Sequence, residues 1–305
     1  MPASHALTSR GIELDTSAGT FGELRSSADI ADDTTALQDR MEQEGYVYLP
    51  GFLNRDDIFT ARQEVCRRLD ASGDIDRRYP LIDAIAASES LSRFSETLGN
   101  DNPQLARVLY DGPMISLFER FLGDPVRHFD YTWFRAMAPG GSTPPHYDIV
   151  YMGRGTKRLY TAWTPIGDVS LEDGPLMVME GSNHLERLKQ RYGSRDVDTY
   201  CSNRPHLEGR RRTQLPTFGA LTLDAARLRA NLGLRWLTTE FKAGDLLFFT
   251  MFTLHASIDN QGPRIRLSSD SRYQRADEPV DDRWVSIDGR PPVKHGDEAR
   301  REMIC

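Results

Sequence analysis

The sequence predicts a mainly β protein, a double-sheet jelly roll supported by a helical N-terminal third. Two observations carry that expectation. From about Val126 onward, short aromatic and β-branched runs recur: "VRHFDYTWFRAMAP", "YDIVYM", "RLYTAWTPIG", "PLMVME", "WLTTEF", "DLLFFT" and "RIRLSSDSRYQ", punctuated by Gly, Pro and Asp. Repeated short strands with turn signals between them are the pattern of a sandwich or barrel. Before Val126 the apolar residues fall instead at helical spacing.

Taken in order, residues 1–30 are rich in Ser, Thr, Ala and Gly and predict an arm packed over the domain. Asp32, Asp33 or Thr34 can cap a first helix that ends near Gly45. "YVYLPGFL" reads as a short strand. Asn54 caps a second helix whose Ile58, Ala61, Val65 and Leu69 share one face. Residues 81–123 read as helical, with breaks at Gly99 and Gly112. The strand-rich core is expected over 126–275, interrupted by a polar, partly helical insert at 185–235. Residues 276–305, rich in Pro, Asp and Arg, predict a surface tail. All of this is expected to form one domain, 1–305, with 1–125 as helical support.

Composition narrows the function classes. A charged content of 27% with 39% apolar residues fits a folded globular protein. A net charge of −7 argues against a general nucleic-acid binder. No apolar run approaches the roughly 18–20 residues of a membrane span, and "MPASHALTSRGIELD" lacks the apolar region of a secretory signal. Cys66, Cys201 and Cys305 lie far apart without C-x-x-C spacing, which predicts reduced thiols and a cytoplasmic protein.

The chemistry starts at "STPPHYDIVYMG", where His146 and Asp148 stand one residue apart. An H-x-D triplet alone is more often a hydrogen-bonded corner. "KAGDLLFFTMFTLHASIDN" adds His255, just past a strongly patterned strand. Two histidines and a carboxylate suit Fe(II) and leave one face of an octahedron open for a chelating cosubstrate and O₂. If that cosubstrate is 2-oxoglutarate, its distal carboxylate needs a cation, and the planar fork of arginine holds a carboxylate bidentately. Arg264 and Arg266, two apart on the next strand, are both candidates.

At this point the chain resembles the phytanoyl-CoA dioxygenase branch of Fe(II)/2-oxoglutarate oxygenases. "GYVYLPGFL", "HYD", "TAWTPIGDVSLEDGPLMVMEGSNH" and "LHASIDN" followed by Arg266 stand in the family's order. The resemblance implies a double-stranded β-helix of cupin-like form. It implies Fe(II) at His146, Asp148 and His255, and 2-oxoglutarate held by Arg266 with help from Ser257 and Trp163. It further implies hydroxylation of a small organic molecule with release of succinate and CO₂, and ascorbate as the reductant in vitro. Desaturation, ring closure and epimerisation share the first half of that mechanism. The family's proline-glycine-serine-histidine turn reads "EGSNH" here, with Asn183 inserted and His184 displaced, a change expected to lie outside the iron sphere. Asp148 stands where related halogenases carry a small residue, which disfavours halogenation.

Two further points follow. His128 and Arg135, on the strand before the motif, are weaker candidates to face the interior. The stretch 185–212 carries eight basic and four acidic residues, a local surplus in an acidic chain, read either as a solvated loop or as a lid that attracts an anion. The competing reading is a cupin-type metalloenzyme, an isomerase or other dioxygenase, that does not use 2-oxoglutarate. It leaves an arginine on the strand after the distal histidine unexplained. Oligomeric state is not legible.

Overall fold

The computed structural model describes residues 6–87, 92–94, 96–200, 219–292, 296–297 and 302–303. The chain begins with a hairpin, β1 (Thr8–Ser9) and β2 (Ile12–Glu13), and continues through β3 (Phe21–Glu23). Then come α1 (Thr34–Glu44), β4 (Tyr46–Leu49) and α2 (Arg55–Ala71). Asp33, of the three candidates, caps α1 by accepting from the Ala36 N–H at 3.0 Å, and the Asn54 side chain accepts from Asp56 and Asp57 at the start of α2. Gly45 ends α1 at φ 77°, and a Cβ there would sit 2.7 Å from the Asn183 side chain. Both the dihedral and the close approach call for glycine.

Residues 81–123 are less helical than expected. A 3₁₀ turn (Leu81–Asp83) and β5 (Ser92–Phe94) precede α3 (Glu96–Gly99), α4 (Pro103–Tyr110) and α5 (Gly112–Leu122). The core follows: β6 (Val126–His128), β7 (Trp133–Met137), α6 (Ile149–Met152), β8 (Tyr160–Pro165) and β9 (Leu176–Met179). After α7 (Glu186–Arg191) and α8 (Ala225–Leu232) come β10 (Trp236–Thr238), β11 (Leu246–Thr250), β12 (His255–Ser257) and β13 (Arg266–Arg275). Last, β14 (Gly296–Asp297) pairs antiparallel with β15 (Glu302–Met303).

Two sheets face each other. The larger runs β4-β11-β8-β13-β7-β5, with β6 also on β13; the smaller runs β12-β9-β10-β3. Between them Tyr48, Trp163, Leu247 and Phe249 of the large sheet meet Leu176, Val178 and Leu237 of the small one. On the outer face of the large sheet, Ala162, Phe248, Leu267 and Tyr273 pack against Leu37, Ile58, Val65, Leu105 and Phe118 from the helices. The helical third is therefore a buttress for one sheet. Strand alternation does the rest: Leu267 and Tyr273 of β13 point to the helices, so Arg266, Ser268, Asp270 and Arg272 point inward.

Three local expectations are corrected. "YDIVYM" is not a strand: Asp148 closes a helical turn, accepting from the N–H groups of Tyr151 at 2.9 Å and Met152 at 3.2 Å. A short apolar run is equally compatible with either state until its partners are known. The C-terminal segment is not a surface tail throughout: among its described residues Ala276, Asp277, Pro279 and 286–291 are exposed, but Asp281, Arg283, Trp284 and Val285 are buried. The N-terminal arm is built into the fold, with β3 parallel to β10. Among the described residues no helix is long and apolar enough to cross a membrane.

Candidate active site

His255 opens β12. His146 is bound to it through the backbone, its N–H donating to the His255 carbonyl at 3.0 Å and its carbonyl accepting at 3.2 Å. That bridge extends the small sheet by one residue and sets two sequence-distant imidazoles with ring centroids 4.1 Å apart. The turn after His146 brings Asp148 round to complete the group. Its Oδ1 lies 3.6 Å from His146 Nε2 and 3.7 Å from His255 Nε2. The three potential ligand atoms are all within 4.8 Å of one another, and all three residues are buried.

The tautomers follow from the neighbours. His146 Nδ1 lies 2.9 Å from the Pro144 carbonyl and His255 Nδ1 3.0 Å from the Thr253 carbonyl. Carbonyls only accept, so the protons sit on Nδ1 and both Nε2 lone pairs face Asp148. Burial and neighbouring His146 push His255 down to about 3, which keeps that imidazole neutral at physiological pH. Burial works against ionisation at Asp148, but Arg272, His255 and His146 outweigh it and hold the carboxyl well below its usual range. Two imidazole nitrogens and one carboxylate oxygen gathered around one point are a donor set that fits Fe(II).

The predicted cosubstrate residues occupy the adjoining interior. Arg266 is 3% exposed and donates to Ser268 Oγ at 2.7 Å. Its Nε is buried and has no hydrogen-bond partner among the described residues, and the same holds for Nε1 of fully buried Trp163. The guanidinium carbon lies 6.0 Å from the Trp163 ring. Burial and neighbouring Arg135 lower Arg266 to about 10, so it stays cationic at neutral pH. Arg264, by contrast, is half exposed and lies 4.0 Å from Asp173. Ser257 accepts from the Thr143 N–H at 2.8 Å, ordering the approach to His146.

The weaker candidates divide. Arg135 faces the interior and donates to Asp270 at 2.6 Å. His128 is half-buried and stacks on Tyr110 at 4.2 Å, apart from the His146, Asp148 and His255 group. His184 lies in a 3₁₀ turn with Nε2 3.0 Å from the Gln43 carbonyl. In the insert, Arg204, Arg210, Arg211 and Arg212 lie outside the described residues, as do Cys201 and Cys305.

Arg272 is the residue that motif spacing did not single out. Its guanidinium donates to Asp148 Oδ2 at 3.2 Å and to the Asp270 carbonyl at 2.9 Å, and lies 4.1 Å from the Trp133 ring centroid. Thr161, inward-facing on β8, donates to the same Oδ2.

A jelly roll holding two imidazoles and a carboxylate, with a buried arginine and tryptophan whose N–H groups are unmet among the described residues, defines a non-haem iron oxygenase of the 2-oxoglutarate-dependent class. The sequence model of the phytanoyl-CoA dioxygenase family matches residues 41–268. The chain belongs to that family, and it is an Fe(II)- and 2-oxoglutarate-dependent dioxygenase. Among curated proteins it is similar to the 1-deoxypentalenic acid 11-beta-hydroxylase of Streptomyces exfoliatus, 27% identical over 84% of this chain and 87% of the relative. The enzyme of the same name from Streptomyces arenae is 26% identical with the same coverage.

Solved structures show the same fold. The non-heme alpha ketoglutarate dependent carbocyclase SnoK from nogalamycin biosynthesis superposes with a TM-score of 0.60 at 17% identity, covering 90% of this chain and 94% of SnoK. EctD from S. alaskensis, with 2-oxoglutarate and 5-hydroxyectoine, gives 0.54 at 17% identity, covering 93% and 88%. Membership of the family removes the alternative of a cupin-type enzyme that does not use 2-oxoglutarate.

Proposed function

We propose that His146, Asp148 and His255 hold the iron, and that Arg266 and Trp163 hold the distal carboxylate of 2-oxoglutarate. The observation that carries this is the pairing of a compact, buried ligand group with two buried, unpartnered N–H donors in the same interior. A bidentate carboxylate matches the fork of Arg266, and the indole N–H can add a third contact. Bound there with 2-oxoglutarate and O₂, the iron supplies oxidation of an unactivated C–H bond, with succinate and CO₂ as coproducts. The protein's own part is to keep the His255 imidazole neutral, fix Asp148 as an anion and exclude water. Phe249, whose ring centroid lies 4.6 Å from that of His255, and Trp163 form dry walls.

The substrate we infer is a small cyclic organic acid, hydroxylated at a saturated carbon. The curated relatives, named for hydroxylation of 1-deoxypentalenic acid, favour it. No nucleic acid or membrane partner is proposed, and the cysteine pattern supports a cytoplasmic enzyme. The test is succinate release with Fe(II), 2-oxoglutarate and ascorbate across cyclic carboxylic acids and their methyl esters. The reading predicts coupled release with an acid and little with its ester. Equal coupling with both would contradict the anionic substrate.

A further inference from the structure

We infer that Arg272 is a positioning residue that, with Thr161, binds the second oxygen of Asp148 and leaves the carboxylate one oxygen for the metal. The inference rests on the metal site proposed above. Asp148 has two oxygens in different surroundings. Oδ1 faces both imidazoles. Oδ2 accepts from the Arg272 guanidinium and from the Thr161 hydroxyl. A carboxylate held this way cannot rotate to present both oxygens without breaking a buried charge-assisted hydrogen bond.

Arg272 is itself held in place. It is 1% exposed, bonded to the Asp270 carbonyl, and its guanidinium lies over the face of Trp133. Asp270 is fixed in turn by Arg135 at 2.6 Å. The guanidinium thus has few alternative orientations. Removing it would leave Asp148 buried beside the two imidazoles, with less compensation for its charge. Such an outer partner of a ligand typically changes metal affinity or activity by about 10- to 100-fold when lost. Arg266, three pleat repeats away on the same inner face, would not be touched.

The test is Co(II) binding to the full-length protein, with Co(II) as a spectroscopic stand-in for iron, in Arg272→Gln and, separately, Thr161→Val. Arg272→Gln should weaken Co(II) binding by about 10- to 100-fold and alter the ligand-field absorption bands. Thr161→Val, nearly isosteric, should weaken binding by less, and Arg272→Lys should recover part of the lost affinity. The apparent KM for 2-oxoglutarate should hardly move, since Arg266 is intact. Wild-type Co(II) affinity and spectrum in a folded Arg272→Gln would overturn the inference. If that variant fails to fold, unchanged Co(II) affinity and spectrum in Thr161→Val overturns it instead. His255→Ala separates the two readings. If it binds Co(II) as tightly as wild type, the metal site itself is wrong. If it loses Co(II) while Arg272→Gln keeps it, only the role of Arg272 is wrong.

Discussion

Arg266 and Trp163 stand 6.0 Å apart, guanidinium carbon to indole centroid, each buried and each with an N–H that has no partner among the described residues. Leaving such a donor unmet costs about 1–3 kcal/mol, which the proposed 2-oxoglutarate carboxylate would relieve at both residues. Arg266→Ala removes the charge-assisted contacts, worth roughly 1.5–3 kcal/mol or about 10- to 150-fold in affinity. The apparent KM for 2-oxoglutarate should rise within that range while Co(II) affinity is unchanged. Arg264→Ala should leave both unchanged. The opposite pattern would move the anchor to Arg264.

Trp163→Phe keeps the ring against Phe241 but removes the indole N–H. A neutral hydrogen bond contributes about 0.5–1.5 kcal/mol. The KM for 2-oxoglutarate should therefore rise by about two- to tenfold with little change in Tm. A wild-type KM would reduce Trp163 to a packing residue.

The proposed metal ligands were legible because their chemistry is local: H-x-D is contiguous, and His255 follows a strand that could only be core. Arg266 was legible from its spacing to His255. Arg272 was not singled out among 38 Lys and Arg residues, because its role depends on where Asp148 sits. Strand alternation from Arg266 through Ser268 and Asp270 to Arg272 was the signal that could have found it. The helical turn at Ile149–Met152 was missed because β-branched residues suit a strand, while the backbone bridge from His146 to His255 forces the chain to turn at once.

The C-terminal segment shows the same limit. "DDRW" reads as a polar tail, yet Arg283 donates to Asp281 at 2.5 Å and to Asp198 at 2.7 Å, and Trp284 lies 4.6 Å from Trp133. Polar residues look like surface when their partners lie far away in sequence. Trp284→Ala should destabilise the protein by about 3–5 kcal/mol, as for other large buried aromatics. Urea unfolding is the check, and a loss under about 1 kcal/mol would be typical of a surface position instead.

Asp168 gives a pH prediction. Arg55 holds it bidentately at 2.7 and 2.9 Å, the Ala243 N–H adds a bond at 2.8 Å, and its carboxyl is lowered to about 2 despite partial burial. A depressed carboxyl contributes stability that is present above its unfolded value, about 3.9. That stability is lost as pH falls from about 4 toward about 2. The pair is partly exposed, so the contribution should be at most about 1 kcal/mol. Asp168→Asn should be less stable than wild type at pH 7, and the gap should narrow at pH 3. An equal gap at both values would show that the ion pair is not its source.

The central claim is most directly tested by measuring succinate formed from 2-oxoglutarate with Fe(II) and ascorbate, in wild type and in His255→Ala. The account predicts Fe(II)-dependent succinate from the wild type, and none above background from a variant that keeps the wild-type far-UV circular dichroism. Succinate formation by His255→Ala at the wild-type rate would contradict it.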